Sequence, residues 1–284
     1  MAAHFLDGEI RNATPEEAGI HVIPVPLEAS VSYGGGTAKG PEAIIGASTQ
    51  LELWDGKGIP AELGIHTMPP INCDGPVHKV LDRIEDAVAF AVECDALPLV
   101  LGGEHTVTLG ALRALKQRYR FGVVQIDAHA DLRNTYEGSP YSHACVMRRA
   151  VEDLGLPLFQ IGVRALSADE ADFRKESEIP HLDARALHLS GIPKKILPMD
   201  FPDRIYVTFD VDGLDPSVIR ATGTPVPGGI GWQDALTLLE RVLDGRTLIG
   251  ADVVELAPAP GDHASDFAAA QLAYTLMGLL PVTE

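Results

Sequence analysis

Two aspartates and a histidine follow one apolar stretch at alternate positions near the middle of the chain. The segment FGVVQIDAHADLR, residues 121–133, places Asp127, His129 and Asp131 directly after a run of aliphatic, β-branched residues. Carboxylate and imidazole groups are side chains that bind divalent metal ions. The segment therefore predicts half of a metal site, whose other ligands must come from elsewhere in the chain.

Three more strand-like segments end in the same kinds of side chain. LPLVLGG is followed by Glu104 and His105, RIYVTF by Asp210 and Asp212, and TLIGADVV by Glu255. A single aspartate at such a place is usually a turn or a helix cap. In an open α/β sheet, however, ligands bind beyond the carboxyl ends of the strands. We therefore expect these groups to converge on one metal-binding site.

Chain geometry limits how these groups can cooperate. In an extended chain, Asp127 and Asp131 would lie ~13 Å apart at ~3.3 Å per residue. The chain must therefore curl after the strand if both are to reach one metal centre. Asp210 and Asp212 would lie ~6.6 Å apart on one face of an extended strand, a spacing that suits neighbouring ions.

Charge balance favours two metal ions over one. Four aspartates that converge in a cleft would repel one another strongly, and two divalent cations would neutralise them. Four carboxylates with two imidazoles form an oxygen-rich ligand set. Such a set favours Mn²⁺, with Fe, Co or Ni as other candidates, over Zn²⁺, which prefers fewer and softer ligands.

The elements that must position these residues alternate between strand-like and helix-like patterns. Short aliphatic runs predict strands over residues 21–26, 97–103, 121–127, 157–163, 204–212 and 247–255. Apolar residues spaced three and four apart predict helices from Pro41 and over 77–94, 106–119, 142–154, 233–243 and 266–280. This alternation favours an α/β fold, a mostly parallel sheet covered by helices on both faces. A single domain over 1–284 is expected.

Composition restricts the class of partner. The 284 residues include 22 Lys and Arg against 40 Asp and Glu, a formal net charge of −18. Such a charge repels nucleic-acid phosphates and anionic lipid and mildly favours small cations. The cysteines, Cys73, Cys94 and Cys145, lack disulfide or metal spacing. With neither a signal peptide nor a membrane span evident, a cytoplasmic protein that binds no nucleic acid and no membrane is expected.

The glycine-rich segment SYGGGTAKGP, residues 32–41, invites comparison with a phosphate-binding loop. It lacks the required spacing, and Pro41 stands where the lysine of such a loop would be. The segment is expected instead to be a mobile turn that lines the site.

Four motifs together resemble those of the ureohydrolases, the family of arginase and agmatinase. They are GGEHTVT (102–108), DAHADLR (127–133), SHACVMRR (142–149) and FDVDGLDPSVIRATGTPVPGG (209–229). Ala221 and Thr106 depart from the family's usual glycine and serine, but neither change removes a metal ligand. The resemblance implies a three-layer α/β/α sandwich, the arginase/deacetylase-like architecture, and a homo-oligomer that is a trimer or a hexamer.

The same resemblance implies a site with two Mn²⁺ per chain and identifies its ligands. One ion would be bound by His105, Asp127, Asp131 and Asp210. The other would be bound by Asp127, His129, Asp210 and Asp212. Asp127 and Asp210 would bridge the two ions.

The resemblance also implies the remaining catalytic groups. His143 matches the family's proton-shuttling histidine, and Glu255 matches the glutamate that binds the substrate's guanidinium group. Both are therefore predicted to be catalytic and substrate-binding. Asp131 is expected to orient the attacking water, whose pKa a metal can lower from 15.7 to about 7. With an ordinary pKa near 6.5, His143 could protonate the leaving amine at neutral pH.

The segments YGGGTAKGPEAI and DLRNTYEGSPYSHACVMRR resemble the agmatinase branch more than arginase. Arginases carry an asparagine, which helps to bind the α-carboxylate of arginine, at the position of Arg133. Agmatine has no such carboxylate, so hydrolysis of agmatine to putrescine and urea is predicted, with a role in polyamine metabolism. Arg133 is expected either to pair with a surface acid or to bind the carboxylate of a guanidino acid such as guanidinobutyrate.

Several other functions are compatible with the same sequence. Guanidinobutyrase, other guanidino-acid hydrolases, arginase and formimidoylglutamase belong to the same family. A deacetylase would share the architecture but keep a single zinc site, and a non-catalytic regulator would have lost metal ligands. A panel of guanidine substrates and the number of metal ions bound per chain would distinguish these possibilities.

Overall fold

An eight-stranded sheet organises the chain, which a computed structural model describes for residues 3–280. The strands are β1 (Ile20–Val25), β2 (Ile65–Thr67), β3 (Leu97–Gly102), β4 (Gly122–Ile126), β5 (Leu158–Ile161), β6 (His181–Leu182), β7 (Arg204–Asp210) and β8 (Thr247–Val254). The single domain predicted over 1–284 also includes residues 1–2 and 281–284, which lie outside the described range.

The strand order is β2-β1-β3-β8-β7-β4-β5-β6. Neighbouring strands in this order pair in parallel throughout. Because all eight strands run in one direction, their carboxyl ends form a single edge. The four central strands, β3, β8, β7 and β4, bring their ends closest together there.

Eight helices lie between and after the strands. They are α1 (Gly40–Ser48), α2 (Val77–Glu93), α3 (Thr108–Lys116), α4 (Val146–Glu152), α5 (Ala168–Glu176), α6 (Ala184–Ser190), α7 (Trp232–Leu243) and α8 (His263–Gly278). Helices α1, α6, α7 and α8 pack on one face of the sheet, and α2, α3, α4 and α5 on the other. Each strand sends alternate side chains into the two apolar layers, as β4 does with Val124 and Val123. The three-layer α/β/α prediction is therefore confirmed.

The predicted strands match β1, β3, β4, β5, β7 and β8, with one functional exception. The strand predicted over 204–212 ends at Asp210, and Val211–Gly213 form a 3₁₀ turn. The predicted extended geometry between Asp210 and Asp212 is therefore wrong. The helices predicted from residues 106 and 142 begin instead as 3₁₀ turns, His105–Val107 and His143–Cys145, which continue into α3 and α4.

Four elements were not predicted: β2, α5, β6 and α6. The two strands have three and two residues, too few to show a period. Helix α5, with the sequence ADEADFRKE, is mostly polar, and a capping box formed by Ser167 and Glu170 fixes its start. Among residues 3–280, no helix is both long enough and apolar enough to cross a membrane.

Candidate metal centre and cleft

The predicted metal ligands converge because they follow strands at the centre of the parallel sheet. His105 follows β3, Asp127 follows β4 and Asp210 ends β7, at one edge of the sheet. One ligand atom from each of these three residues lies within 4.8 Å of those of the other two. All three side chains are buried. Asp127 and Asp210 are thus close enough to contact one ion.

His105 is the centre of this first cluster. Its Nδ1 atom lies 3.2 Å from Asp127, 3.0 Å from Asp131 and 3.5 Å from Asp210. A second cluster combines Asp127, His129 and Asp212, again with ligand atoms within 4.8 Å of one another. The His129 Nδ1 atom lies 3.0 Å from Asp212 and 3.6 Å from Asp127. Asp127 belongs to both clusters, as a bridging ligand must.

The second cluster does not include Asp210. Asp131 lies against His105 but is not one of the three residues of the first cluster. The structure therefore gathers three of the four predicted ligands of each ion into a tight group. The fourth ligand of each ion, and the bridging role of Asp210, stay predictions.

The loop after β4 curls, as the distance between Asp127 and Asp131 requires. Asp131 adopts a left-handed backbone conformation with φ of 52°. Its carbonyl oxygen accepts hydrogen bonds from the amides of Met147 and Arg148, both at 3.1 Å, at the start of α4. Helix α4 therefore stabilises a conformation that is uncommon for a residue with a side chain.

A turn rather than a strand presents Asp212. The Asp212 amide donates to Asp210 Oδ1 at 2.8 Å, which closes the turn. Asp212 Oδ1 in turn accepts a hydrogen bond from the Ala128 amide at 3.1 Å. Gly213 is needed here because a Cβ atom at that position would lie 2.9 Å from the Asp127 nitrogen. The loops after β4 and β7 thus fix each other.

The charge of the site calls for a cation. Burial raises the pKa of Asp210 well above its ordinary value, and the Asp212 and Asp127 carboxylates raise it further. Burial and the charge of Asp127 raise the pKa of Asp131 to about 7. Although burial opposes it, hydrogen bonds with Asp127 and Asp212 raise the pKa of His129 to about 11. These shifts reflect an excess of negative charge that bound cations would compensate.

The donor atoms also fit metal ions. His105 Nδ1 is buried and makes no hydrogen bond, although three carboxylates surround it. An imidazole nitrogen and carboxylate oxygens that face one another in this way are a ligand set suited to Mn²⁺ and similar ions. The residues present therefore fit a metal centre. The two clusters correspond to two metal positions.

A buried polar chain supports His105 from behind. Its Nε2 atom lies 2.8 Å from the Thr208 hydroxyl, which donates to Asp252 at 2.7 Å. Asp252 is completely buried and also accepts from the hydroxyls of Thr108 and Tyr206, each at 2.8 Å. Because Thr208 can accept from Nε2–H while it donates to Asp252, this chain directs Nδ1 with its lone pair towards the metal site.

Glu255 lies at the floor of the cleft beside the ligands. It follows β8, has a left-handed φ of 66°, and accepts a hydrogen bond from the His105 amide at 2.6 Å. Burial raises the pKa of this carboxyl well above its ordinary value. A half-buried carboxylate beside other acids is unfavourable without a cation nearby, so this position favours a cationic ligand.

His143 also lines the cleft. Its Nδ1 atom lies 2.9 Å from the Ser30 hydroxyl and its Nε2 atom 2.8 Å from the Ser32 hydroxyl. Burial, followed by the charges of His105 and His129, lowers the pKa of His143 to about 4. This pKa lies below the ordinary value near 6.5, and the proton-transfer role of His143 stays a prediction.

The cleft has a volume of about 420 Å³ and includes groups that were not predicted. Ser30, Ser32 and Tyr33 line it, so the glycine-rich segment does border the site. Tyr136 and Glu170 also line it, near Arg133. The sequence signal for Ser30 and Ser32 was weak, since serine is common in turns.

Arg133 is paired within the cleft. Its guanidinium group lies over the Tyr136 ring at 5.2 Å from the centroid, and its Nε atom lies 3.8 Å from Glu170. Glu170 is a buried acid, so the predicted pairing of Arg133 with an acid is found, but the acid is not on the surface.

The chain is similar to known proteins in both sequence and structure. The arginase family model matches residues 18–278. The N(1)-aminopropylagmatine ureohydrolase of Synechocystis sp. is 40% identical, over 96% of this chain and 92% of the relative. The agmatinase of Pyrococcus horikoshii is 31% identical, over 96% of both chains. The crystal structure of the agmatine ureohydrolase of Thermoplasma volcanium superposes with a TM-score of 0.85 at 33% identity, over 94% of this chain and 91% of that one.

Proposed function

The chain belongs to the arginase family, and from that premise we propose that it uses two Mn²⁺ ions to hydrolyse a guanidino amine. The substrates proposed are agmatine and its N(1)-aminopropyl derivative. Water adds to the guanidinium carbon, the bond from that carbon to the alkyl nitrogen breaks, and urea and an amine are released. The amine is putrescine from agmatine and a triamine from the aminopropyl derivative.

One observation carries this proposal above the others. Two ligand clusters share Asp127, and their members His129, Asp210 and Asp212 line the same cleft as Glu255 and His143. A single-zinc deacetylase would not need the second cluster, and a regulator without activity would not need either. The clusters, together with a cation-binding carboxylate, favour a two-metal guanidine hydrolase.

The metal ions would be bound by the predicted ligands, His105, Asp127, Asp131 and Asp210 for one and Asp127, His129, Asp210 and Asp212 for the other. When bound, such ions supply a water molecule that ionises near neutral pH. Asp131 lies against His105 in the cleft wall, where its carboxylate can accept a hydrogen bond from the attacking water.

Glu255 binds and orients the guanidinium group. One carboxylate oxygen accepts from the His105 amide, so the side chain is held in place before substrate arrives. A guanidinium ion offers paired N–H donors that match a carboxylate. Because the carboxylate is partly shielded from water, its attraction for the cation is stronger than it would be in bulk water.

His143 transfers the proton that the leaving amine needs. The Ser30 hydroxyl lies 3.2 Å from Glu104 Oε1, to which it donates, so it accepts from Nδ1–H of His143. The Nε2 lone pair then faces Ser32 and the cleft. A neutral ring in this tautomer accepts the proton released by the attacking water and gives it to the alkyl nitrogen as the C–N bond breaks.

The outer cleft favours an amine over a guanidino acid. Arg133 could bind a substrate carboxylate, but Glu170 and the Tyr136 ring already face its guanidinium group. The relatives named above act, by their names, on agmatine or on its aminopropyl derivative. Both substrates end in an ammonium group and carry no carboxylate for Arg133 to bind.

A substrate panel tests the proposal. We expect urea release, with Mn²⁺ present, from agmatine and N(1)-aminopropylagmatine at a kcat/KM well above that for arginine or guanidinobutyrate. Bound metal is measured on the same sample by elemental analysis, with two ions expected per chain. A higher kcat/KM for guanidinobutyrate would instead assign Arg133 to carboxylate binding, and a single bound zinc would favour the deacetylase.

A further inference from the structure

A row of buried polar side chains crosses the sheet just before the metal-binding residues. In the strand register, Gln160 of β5 pairs with Gln125 of β4, Gln125 with Thr208 of β7, and Thr208 with Asp252 of β8. All four are completely buried in strands that are otherwise mainly apolar. Because alternate residues share a face, Gln125 lies on the same face as Asp127. Thr208 and Asp252 support His105, as described above, whereas the two glutamines face the loop after β4.

The glutamines contact this loop at three places. Gln125 Nε2 donates to Asp127 Oδ2 at 2.7 Å and lies 3.3 Å from the His129 carbonyl oxygen. Gln160 Nε2 donates to Gln125 Oε1 at 2.6 Å and to the Ala130 carbonyl oxygen at 2.8 Å. The pair therefore binds both the carboxylate of Asp127 and the backbone of the residues that follow it.

The carboxylate dictates the direction of these hydrogen bonds. Ionised Asp127 can only accept, so the Gln125 amide must present its NH₂ group to it and its oxygen to Gln160. Gln160 must then donate. The result is a directed chain from Gln160 through Gln125 to Asp127, in which each bond polarises the next.

Asp127 is the ligand whose orientation matters most. It belongs to both clusters, and its Oδ2 atom, which accepts from Gln125, also lies 3.2 Å from His105 Nδ1. The Oδ1 atom accepts from the His129 amide at 2.6 Å. Rotation of this one carboxylate would disturb both metal positions at once.

We propose that Gln125 and Gln160 are positioning residues that hold the Asp127 carboxylate and the curled loop 127–131 in the geometry that binds two metal ions. This inference rests on the two-metal site of the proposed function. The pair is not the best arrangement for stability alone. Gln160 Oε1 is buried without a hydrogen-bond partner among residues 3–280, an unfavourable arrangement that apolar side chains of similar size would remove.

The test replaces each glutamine by methionine, which has a similar length and no hydrogen-bonding amide. Mn²⁺ affinity of the full-length, metal-stripped protein is measured by competition with a chelator, and the Mn²⁺-loaded protein is examined by EPR. We expect Gln125→Met to weaken Mn²⁺ binding about 10- to 100-fold and to alter the EPR signal of the coupled ions. Gln160→Met should weaken Mn²⁺ binding less than Gln125→Met does. Its effect should be smaller still when Gln125 is already methionine, because Gln160 acts largely through Gln125.

Thermal unfolding in EDTA separates positioning from general stability. The methionine variants leave Asp127 and the Ala130 carbonyl without the glutamine N–H donors, so they should unfold in EDTA below the wild-type temperature. They should also gain less stability than wild type from added Mn²⁺. Ser48→Ala is the matched control, since Ser48 is equally buried but bonds to Leu6 and Ile45 on the other face of the sheet. That variant should unfold at a lower temperature in EDTA with unchanged Mn²⁺ affinity and EPR signal.

The outcomes distinguish this inference from the proposed function. Absence of Mn²⁺ binding by the wild type would contradict the proposed function, on which the inference depends. Two Mn²⁺ bound by wild type and by both single variants, with affinities within twofold and the same EPR signal, would overturn the inference alone. If Gln125→Met does not fold, Gln160→Met decides, because it leaves the direct partner of Asp127 in place.

Discussion

Asp127, Asp131, Asp210 and Asp212 are buried acids, and their neighbours determine whether each carries a charge. The imidazoles of His105 and His129 lower the pKa of Asp127 in spite of burial, while burial and nearby carboxylates raise that of Asp210. Two acids of one type thus differ because one faces imidazoles and the other faces acids. At the scale of single residues, charge rather than packing defines this site.

His143→Asn tests the proton transfer assigned to His143. Because asparagine cannot carry a proton between water and the amine, we expect kcat to fall about 10²- to 10⁴-fold. The bound Mn²⁺ should be unchanged, since the His143 ring bonds to Ser30 and Ser32. Urea release gives kcat, and His188→Asn, on the exposed side of α6, is the control. A kcat within threefold of wild type would assign the proton transfer to another group.

His21→Gln tests a buried histidine outside the cleft. Burial lowers the pKa of His21, whose Nε2 atom bonds to the Pro15 carbonyl oxygen at 2.9 Å. The neutral His21 ring therefore contributes fully to stability above about pH 6.5, the pKa of histidine in the unfolded chain. That contribution is lost as the pH falls below about 6.5 towards the lower pKa of the folded state. We expect the denaturation midpoint of wild type to fall more than that of His21→Gln between pH 7.5 and pH 5.5. The exposed variant His181→Gln should show the same pH dependence as wild type. An equal change in denaturation midpoint with pH for wild type and both variants would contradict this role of His21.

At the scale of elements, loops after the strands do most of the positioning. Arg164, just after β5, donates to carbonyl oxygens of the loop that follows β7, among them Asp212 at 2.7 Å and Val226 at 2.6 Å. Further bonds reach Gly213 and Leu214. One guanidinium group thus holds a long irregular segment against the end of the sheet.

Arg164→Lys tests this role. The planar guanidinium group of arginine reaches several carbonyl oxygens of the loop at once. A lysine ammonium group cannot, so several hydrogen bonds are lost. We expect a loss of about 2–3 kcal/mol in the free energy of unfolding and faster proteolytic cleavage within 213–231. Denaturant unfolding and limited proteolysis measure these effects, with the exposed Arg118→Lys as control. A free energy of unfolding equal to that of wild type would show that the loop is held by other contacts.

At the scale of the whole molecule, the metal site trades stability against function. The acidic chain, with a net charge of −18, concentrates buried carboxylates at one edge of its sheet. Metal ions would relieve the repulsion among them and so stabilise the entire fold by mass action. The predicted trimer or hexamer stays a prediction.

Asp210→Asn should reveal this trade. In EDTA the variant should unfold at a higher temperature than wild type. Burial and the neighbouring acids raise the pKa of Asp210 because they disfavour its negative charge, and asparagine has no such charge. Mn²⁺ at about 100 times its Kd should stabilise wild type by about 2.7 kcal/mol and the variant by much less. Thermal scans with EDTA and with Mn²⁺ measure both effects. An equal Mn²⁺-induced shift in the variant would exclude Asp210 as a ligand.

The sequence by itself determined the class of fold and the identity of the candidate ligands. Aliphatic runs such as FGVVQI and the spacing of apolar residues in 77–94 depend on local chemistry, so they predict strands and helices directly. The short strands β2 and β6 and the polar helix α5 are exceptions because tertiary contacts, not local pattern, stabilise them. The ligands could be identified because acids or histidines follow four separate strand-like runs, and because their motifs resemble those of a known family.

Only the tertiary structure decided how those groups meet. Neither the turn that carries Asp212 nor the left-handed Asp131 follows from local sequence, since each depends on a partner distant in the chain. The support of Asp127 by Gln125 and Gln160, and the low pKa of His143, likewise arise from strand register and burial. Local pattern specifies which residues are present, but distances, hydrogen bonds and proton affinities depend on neighbours that only folding brings together.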